Sequence, residues 1–501
     1  MISNEPPSET RRFDEDATVP ERLVARPRPA LAWVAVLLGL VAFEAGAVLE
    51  TVVLVLERTV QAYPGGNPGA ETLAAALSWA EGIPTLLSRD LIPNQGWRAS
   101  ASGPWMGTFP RNLGLDFGLE PKHAWLLRFL LTCAYATAVA GWLLYGFRVF
   151  RRYYRQAEWT PRDDVLRRLR NHTWGQFGVV VIFAFLVMAM FAPALGPTTV
   201  DQNIVDPYSH TIQFHDDDLG EVRETSVGDA NLESESKGGG DENVGPWTYD
   251  DYGRFHPFGT LSNGKDLFTF MMYGARVSLF IGLLSIGISG VMAAAFALAT
   301  AYYKGLVDLS VVIAGDSVMA IPQLLLLIMV SAVFRSHWLY NVYNGGLLIA
   351  LVFGFTGWPY LWRAVRGPAF QVAGEEWIDA ARSYGQRPTA TMRKHMLPYV
   401  LGYLLIYASM TLGGIIITTA ALSFLGLGVN APTPEWGRAV DMGKQYIATQ
   451  SWHISMIPGL MVVVVVTAFN ALGDGIRDAI DPQSGGGETG GESAAAAGGG
   501  G

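Results

Sequence analysis

Eight long apolar segments are the feature of this sequence that most constrains its fold. They cover approximately residues 30–56, 124–149, 174–195, 275–302, 309–334, 345–365, 399–422 and 454–472. A helix needs about 20 mostly apolar residues to cross a bilayer, where its backbone polar groups must be satisfied internally. Only 16% of the 501 residues are charged, against roughly 25% in soluble domains. The sequence therefore predicts an all-α polytopic protein of the cell membrane.

The distribution of arginines predicts how these segments are oriented. Arg22, Arg26 and Arg28 precede the first segment, and a dense basic stretch from Arg148 to Arg170 separates the second from the third. Basic loops stay on the cytosolic side. This rule explains the basic stretch better than nucleic-acid binding, because membrane segments flank it on both sides. Eight spans then place both termini, and the loop between the sixth and seventh segments, in the cytosol.

Acidic residues are concentrated in the loop from about residue 196 to 256, which includes Asp216, Asp217 and Asp218. The net charge of the chain is −9. Such acidity is typical of a high-salt organism, and local compositional drift is the alternative. An unpaired acidic run is more often a solvated surface than a cation site. Because Cys133 is the single cysteine, an intrachain disulfide and a cysteine metal centre are excluded.

One polar stretch, residues 375–398, interrupts the apolar pattern between the sixth and seventh segments. The residues that share one face of a helix here, at three- and four-residue steps, are Trp377, Ala380, Ala381 and Tyr384. Asp379 and Arg382 lie off that face. Gly385 suits the left-handed end of this helix, and Pro388 suits the first turn of the next one. The pattern predicts two short helices on a membrane surface, the first with a face that another protein can approach closely.

The spacing of this stretch resembles the EAA loop of ABC-importer permeases. The matching residues are Asp379-Ala380-Ala381, then Gly385, then Met396-Leu397-Pro398. In that family the loop forms a coupling helix that docks into a groove of a cytosolic ATPase. The resemblance implies an ATPase-coupling site at Trp377, Asp379, Ala380, Ala381, Tyr384, Gly385, Leu397 and Pro398. Asp379 stands where the family has Glu, which keeps the charge and shortens the side chain.

Other segments resemble the peptide-importer branch of the same family, in the same order along the chain. They are the third apolar segment with its basic flank, residues 255–279, residues 421–440 and residues 470–482. The resemblance covers about residues 165–482. It implies the second, "C"-type permease of a dipeptide/oligopeptide-type importer, with a six-helix ABC type I importer core and two extra N-terminal transmembrane helices.

This resemblance also implies the function and the partners. The chain would form half of the pathway for peptides delivered by an extracellular solute-binding lipoprotein, beside a homologous second permease. Two cytosolic ATPase subunits would bind ATP and Mg, so the chain itself would be no enzyme and would hold no cofactor, catalytic residue or metal. Permeases for nickel or other small solutes are the nearest alternative within the family.

The predicted domains follow from the spans and motifs. They are a polar cytosolic leader (1–29), an N-terminal extension with two transmembrane helices and a basic cytosolic linker (30–173), the first core helix with the acidic external loop (174–256), the permease core (257–482) with its coupling loop (375–398), and a Gly/Ala-rich disordered tail (483–501). We hypothesise that the two extra helices brace the complex or the binding protein.

One motif matches a phosphate-binding loop only in part, and we call it the phosphate-loop decoy. Gly259 to Lys265 fits the first seven positions of a phosphate-binding G-x-x-x-x-G-K-[ST] loop. The eighth position is Asp266, which repels phosphate, and no buried strand is expected before it. The predicted topology also places this segment outside the cell, away from ATP.

Two other classes of protein compete with an importer. An ion-coupled carrier needs buried carboxylates, for which Glu44, Asp308 and Asp316 are the candidates. A membrane sensor needs a signalling domain, and no segment is long and apolar enough to fold as one. The Ser and Ala residues at four-residue steps from Ser285 to Ala301 predict close helix packing.

Overall fold

A computed structural model describes residues 18–45, 87, 119–155, 161–216, 219–240 and 242–480. Two compact units divide the chain: residues 1–101 with 105–160, and residues 102–104 with 161–501. Asp217, Asp218 and the predicted tail from residue 483 lie outside the described residues.

The described part of the first unit is helical. Its helices are α1 (Val19–Ala25), α2 (Pro27–Phe43) and α3 (Pro121–Val149), and a π-helical turn, Phe150–Tyr154, extends α3. Helices α1 and α2 meet at an angle of 88°, where Pro27 cannot continue the preceding helix. The predicted first span therefore begins in α2, and its residues after 45 lie outside the described part.

Two tryptophans join α2 to α3. The rings of Trp33 and Trp142 stack with centroids 4.5 Å apart. Each indole N–H donates to the other residue's backbone carbonyl, at 3.2 Å from Trp33 and 3.0 Å from Trp142. Gly146 permits this approach, because a Cβ there would lie 2.3 Å from Trp33 Nε1. Helices α2 and α3 are thus held together by aromatic contact and reciprocal hydrogen bonds.

The second unit contains the other helices of the described residues. They are α4 (Pro161–Asn171), α5 (Thr173–Met190), α6 (Ala192–Leu195), α7 (Val227–Glu233), α8 (Leu267–Tyr303), α9 (Gly305–Met319), α10 (Gln323–Val333), α11 (Trp338–Asn341), α12 (Gly346–Ala373), α13 (Glu376–Ser383), α14 (Pro388–Thr391), α15 (Leu397–Phe424), α16 (Trp436–Gly443) and α17 (His453–Ile480). Short π-helical turns cover Asp201–Val205 and Met392–Met396, and 3₁₀ turns cover Pro207–Ser209 and Lys444–Tyr446.

The described residues contain six helices long and apolar enough to cross a membrane, or up to eight spans if each bent helix pair counts as one. The bent pair in the second unit is α9 and α10, which meet at 74°. Pro322 lies at this break as the N-cap of α10. The fifth predicted segment is therefore two helices and not one continuous helix. The predicted all-α polytopic architecture is confirmed.

Helices α8 and α12 form the centre of the second unit. All the residues of the predicted small-residue stripe are buried: Ser285, Ser289, Ala293, Ala297 and Ala301. Ser285 Oγ donates to Ala350 O at 3.1 Å, and Ser289 Oγ donates to Gly354 O at 2.7 Å. Small side chains let the two backbones approach, as the stripe predicts.

The acidic loop before α8 is folded, which the sequence analysis does not predict. Strand β1 (Thr211–Asp216) pairs antiparallel with β2 (Glu221–Ser226), and β3 (Thr248–Tyr249) pairs antiparallel with β4 (Phe255–His256). Helix α7 follows β2 directly. The Oγ of Ser226 caps this helix by accepting from Asp229 N at 3.0 Å.

A buried charged network joins this loop to the start of α8. His256 lies between two carboxylates, with Nε2 3.3 Å from Asp250 Oδ2 and Nδ1 2.9 Å from Asp266 Oδ2. Arg254 Nε donates to Asp250 Oδ2 at 2.6 Å. Burial alone would lower the pKa of His256, but its hydrogen bonds and the two carboxylate charges raise that pKa above the ordinary value. We call His256, Asp250, Asp266 and Arg254 the outer network.

The phosphate-loop decoy is part of this arrangement. The expectation that no buried strand precedes it is wrong, since both residues of β4 are buried. That strand belongs to a two-stranded hairpin. Asp266, at the position where a phosphate loop has Ser or Thr, instead caps α8 by accepting from Thr269 N at 2.7 Å. The segment is a helix start.

Candidate coupling surface

The polar stretch between α12 and α15 forms the two short helices that the sequence predicts. Helix α13 ends at Ser383 with Tyr384 as its C-cap, and Gly385 follows with φ of +73°. Gln386 N donates to Ala381 O at 3.1 Å across this turn. Pro388 begins α14. A glycine adopts the left-handed conformation without a Cβ clash, which ends α13 sharply.

One residue that the sequence analysis did not single out anchors α13. Ile378 is completely buried and belongs to the same apolar cluster as Ala297 and Ala301 of α8 and Trp362 and Val365 of α12. An isolated Ile in a polar stretch is a weak signal. Its burial fixes α13 against the ends of two long helices.

The opposite face of α13 is exposed. Tyr384 is 92% exposed and Trp377 is 45% exposed, with Ala380 exposed between them and Ala381 half-buried. The Asp379 side chain is 69% exposed and lies 3.7 Å from Arg382 Nη1. Trp377 packs edge-on against His395 of the following turn, with centroids 5.8 Å apart. The predicted face residues thus form one continuous surface, which we call the α13 surface.

The three residues that close the motif lie differently. Met396 is fully buried and Leu397 is half-buried, and both pack in the cluster that holds Ile378. Pro398 is exposed in the first turn of α15. Leu397 therefore packs on the buried side, with the cluster that holds α13.

Arg382 is placed by the structure on the inner side of α13. Its guanidinium lies 4.2 Å from the centroid of the Tyr302 ring, and Nη2 donates to Tyr302 O at 3.2 Å. The sequence places Arg382 off the apolar face. Its contact with Tyr302, 80 positions earlier, cannot be predicted from the local sequence.

Removing the Ile378 anchor should loosen α13. Ile378→Ala leaves a cavity under the helix, which costs about 2–5 kcal/mol. We expect proteolytic cleavage within residues 375–398 to accelerate by at least about tenfold, because local opening limits cleavage. The control is Ile447→Ala, which truncates an isoleucine that is 49% exposed. Equal cleavage rates in the two variants would contradict the anchor.

Within the described ranges, no group of three or more His, Cys, Asp or Glu side chains could hold a metal ion. The α13 surface offers aromatic, small and charged groups for contact with a protein.

Two family models match separate parts of the second unit. The family described as "Binding-protein-dependent transport system inner membrane component" matches residues 287–485. The "N-terminal TM domain of oligopeptide transport permease C" matches residues 160–211. Together they include the α13 surface and the first long helix of this unit.

The chain is similar to permease proteins of several bacteria. The dipeptide transport system permease protein of Alkalihalophilus pseudofirmus is 28% identical over 324 residues, which are 65% of this chain and 90% of that protein. A putative peptide transport system permease protein of Brucella suis is 35% identical over 228 residues, which are 46% of this chain and 74% of that protein. The glutathione transport system permease protein of Shigella dysenteriae is also 35% identical over 228 residues, which are 72% of that protein.

The helices and these matches define a multi-pass membrane protein of the permease class. The chain belongs to the family of binding-protein-dependent transport system inner membrane components.

Proposed function

We propose that this chain is one of two permease subunits of an ATP-driven ABC importer, and that it forms half of the pathway for dipeptides and oligopeptides. The observation that carries the proposal is the α13 surface. This surface is exposed, and buried Ile378 holds its helix against the protein core in a chain of this family. Trp377, Asp379, Ala380, Ala381, Tyr384 and Gly385 would contact the ATPase, and Leu397 and Pro398 would support them.

The proposed complex contains a homologous second permease, two cytosolic ATPases and an extracellular solute-binding lipoprotein. The ATPases bind ATP and Mg, and this chain supplies no catalytic residue. Both termini and the α13 surface lie in the cytosol, while the folded acidic loop faces outward. The basic residues near α1 and in α4 support this orientation.

In the proposed cycle, ATP closes the ATPase pair and α13 moves with the groove that holds it. The long helices then open the pathway outward to receive peptide, and hydrolysis returns them to the inward state. Because a ligand shifts an equilibrium only through its differential affinity for two states, the contact at α13 must differ in geometry between them.

Peptides are favoured over nickel as the substrate. The relatives at 28–35% identity are named for dipeptide, peptide and glutathione transport. A test is uptake of a labelled dipeptide into vesicles that hold the complete complex, with nickel uptake measured in parallel. Saturable uptake of nickel without uptake of peptide would reverse the assignment.

The carboxylates that an ion-coupled carrier would need are already engaged. Arg366 Nε donates to Asp308 Oδ1 at 2.8 Å, and Arg363 pairs with Asp316. Glu44 Oε1 accepts from Leu87 N at 3.2 Å. These contacts favour structural roles for all three side chains, and uptake should persist when the ion gradient is collapsed.

The deciding experiment is co-purification of the ATPase subunits with this chain and with Ala380→Arg. Ala380 lies in the middle of the exposed α13 surface, where an added long cation blocks close approach. We expect the ATPases to be retained by the wild type and lost by at least about tenfold in the variant, since a buried unpaired charge costs more than 1.4 kcal/mol.

The matched control is Ser336→Arg, which adds the same side chain at an exposed turn after α10. This variant should retain the ATPases. Failure of any ATPase to associate with the wild type would reject the importer function itself.

A further inference from the structure

Helix α8 extends from the outer network to the neighbourhood of α13. It runs without a break for 37 residues from Leu267 to Tyr303. At 1.5 Å per residue this is about 55 Å, well beyond the roughly 30 Å of a bilayer core. One end emerges at the outer network and the other end reaches α13.

The outer end of α8 is fixed by Asp266. This buried residue caps the helix through Thr269 N and contacts His256 through Oδ2 at 2.9 Å. Its backbone N–H also donates to Asn203 Oδ1 at 2.8 Å. The first turn of α8 is therefore tied to the folded acidic loop.

The inner end of α8 is held by Arg382 of α13. Tyr302 is the penultimate residue of α8, and Arg382 contacts both its ring face and its carbonyl oxygen. That carbonyl belongs to the last turn, where no intrahelical N–H satisfies it. A guanidinium suits this place because it is flat enough to stack and carries N–H groups at its edge.

We propose that Arg382 is the positioning residue that transmits the movement of α13 to α8, and thereby to the outer loop. The proposal rests on the proposed function and adds a specific route to it. The apolar contact of Ile378 sets the depth of α13 but has no preferred direction. The contacts of Arg382 fix both distance and orientation, so rotation of α13 displaces the end of α8.

The test compares Arg382→Gln and Tyr302→Leu with wild type in the complete complex reconstituted in vesicles. Three quantities are measured: retained ATPase subunits, ATP hydrolysed and dipeptide taken up. We expect both variants to retain the ATPases and to hydrolyse ATP. Dipeptide uptake per ATP hydrolysed should fall by about threefold or more, the factor expected from one lost cation–π contact.

Two further variants separate positioning from general damage. Tyr302→Phe keeps the ring face and the carbonyl, so its uptake per ATP should lie close to that of wild type and well above that of Tyr302→Leu. Arg335→Gln removes an exposed arginine far along the chain from α13 and controls for lost charge. Equal uptake per ATP in Tyr302→Phe and Tyr302→Leu would overturn the proposal.

The outcomes distinguish this inference from the proposed function. Loss of the ATPases from Arg382→Gln would assign Arg382 to docking and overturn the positioning role, while the importer function would stand. Unchanged uptake per ATP in Arg382→Gln would also overturn that role. Absence of ATPase from the wild-type preparation would reject both.

Discussion

We expect Gly437→Ala to destabilise the protein by about 3 kcal/mol or more, the upper range for overpacking a close contact. A Cβ at Gly437 would lie 1.8 Å from Ala420 O and 2.7 Å from Ala420 Cα. Both obstructing atoms are backbone of α15, so no side-chain rotation relieves the clash. Helix α16 or α15 would have to move.

Movement of α16 would cost free energy, because its first residues make contacts on several sides. Trp436 is fully buried and donates from Nε1 to Met271 O at 2.8 Å. Its ring also meets Phe185 edge-on, with centroids 5.6 Å apart. Glu435 caps the helix by accepting from Gly437 N at 2.7 Å. A shift that makes room for the methyl group breaks these contacts.

The measurement is the thermal unfolding midpoint of the purified protein in detergent, together with the yield of folded protein. Gly414→Ala is the matched control: it makes the same change in α15, and nothing lies within 4 Å of the added Cβ. The helix propensity of Ala makes this control neutral or stabilising by up to about 1 kcal/mol. Equal midpoints for the two variants would show that α16 does not pack against α15 as described.

The second large effect is expected at the outer network. His256→Leu removes the group that separates the Asp250 and Asp266 carboxylates, whose side chains are 1% and 0% exposed. Removing one partner of a buried charged group costs about 3–5 kcal/mol. Asp266 would lose the imidazolium that contacts it, while Asp250 would keep its contact with Arg254. We expect the folded loop before α8 to open much more often.

The pH dependence follows from the direction of the pKa shifts. The pKa of His256 is raised above its ordinary 6.5 in the folded state, so the stabilisation by its imidazolium is complete below that value. It is lost as the pH rises through the higher, folded-state pKa. Asp250 behaves oppositely: burial raises its pKa, but Arg254 and His256 lower it further, to a net value below the ordinary 3.8. Its contribution is lost only in acid.

Hydrogen exchange of the amides of residues 248–266 measures both effects, after correction for the intrinsic pH dependence of exchange. Protection in the wild type should decline above neutral pH, and His256→Leu should be poorly protected at every pH. His337→Leu, which removes an exposed histidine, should match the wild type. Protection that increases as the pH rises above 6.5 would contradict a stabilising imidazolium at His256.

The local features of the coupling stretch could be predicted from sequence because each depends on neighbours in the chain. Gly385 and Pro388 mark the end of one helix and the start of the next through their own backbone preferences. The shared face of Trp377 and Tyr384 follows from helical periodicity alone. Periodicity does not show which side of α13 faces the protein interior. The burial of Ile378 shows it.

The apolar runs by themselves determined that this chain crosses the membrane repeatedly, since each run meets the length requirement without reference to any other. Spacing within residues 375–398 likewise defined the motif. Only the tertiary structure decided which faces pack, because lipid and protein interior are equally apolar and the hydrophobic pattern does not distinguish them. Only that structure brings Arg382 to Tyr302 and His256 to Asp250 and Asp266, since such polar pairs depend on geometry set by whole helices.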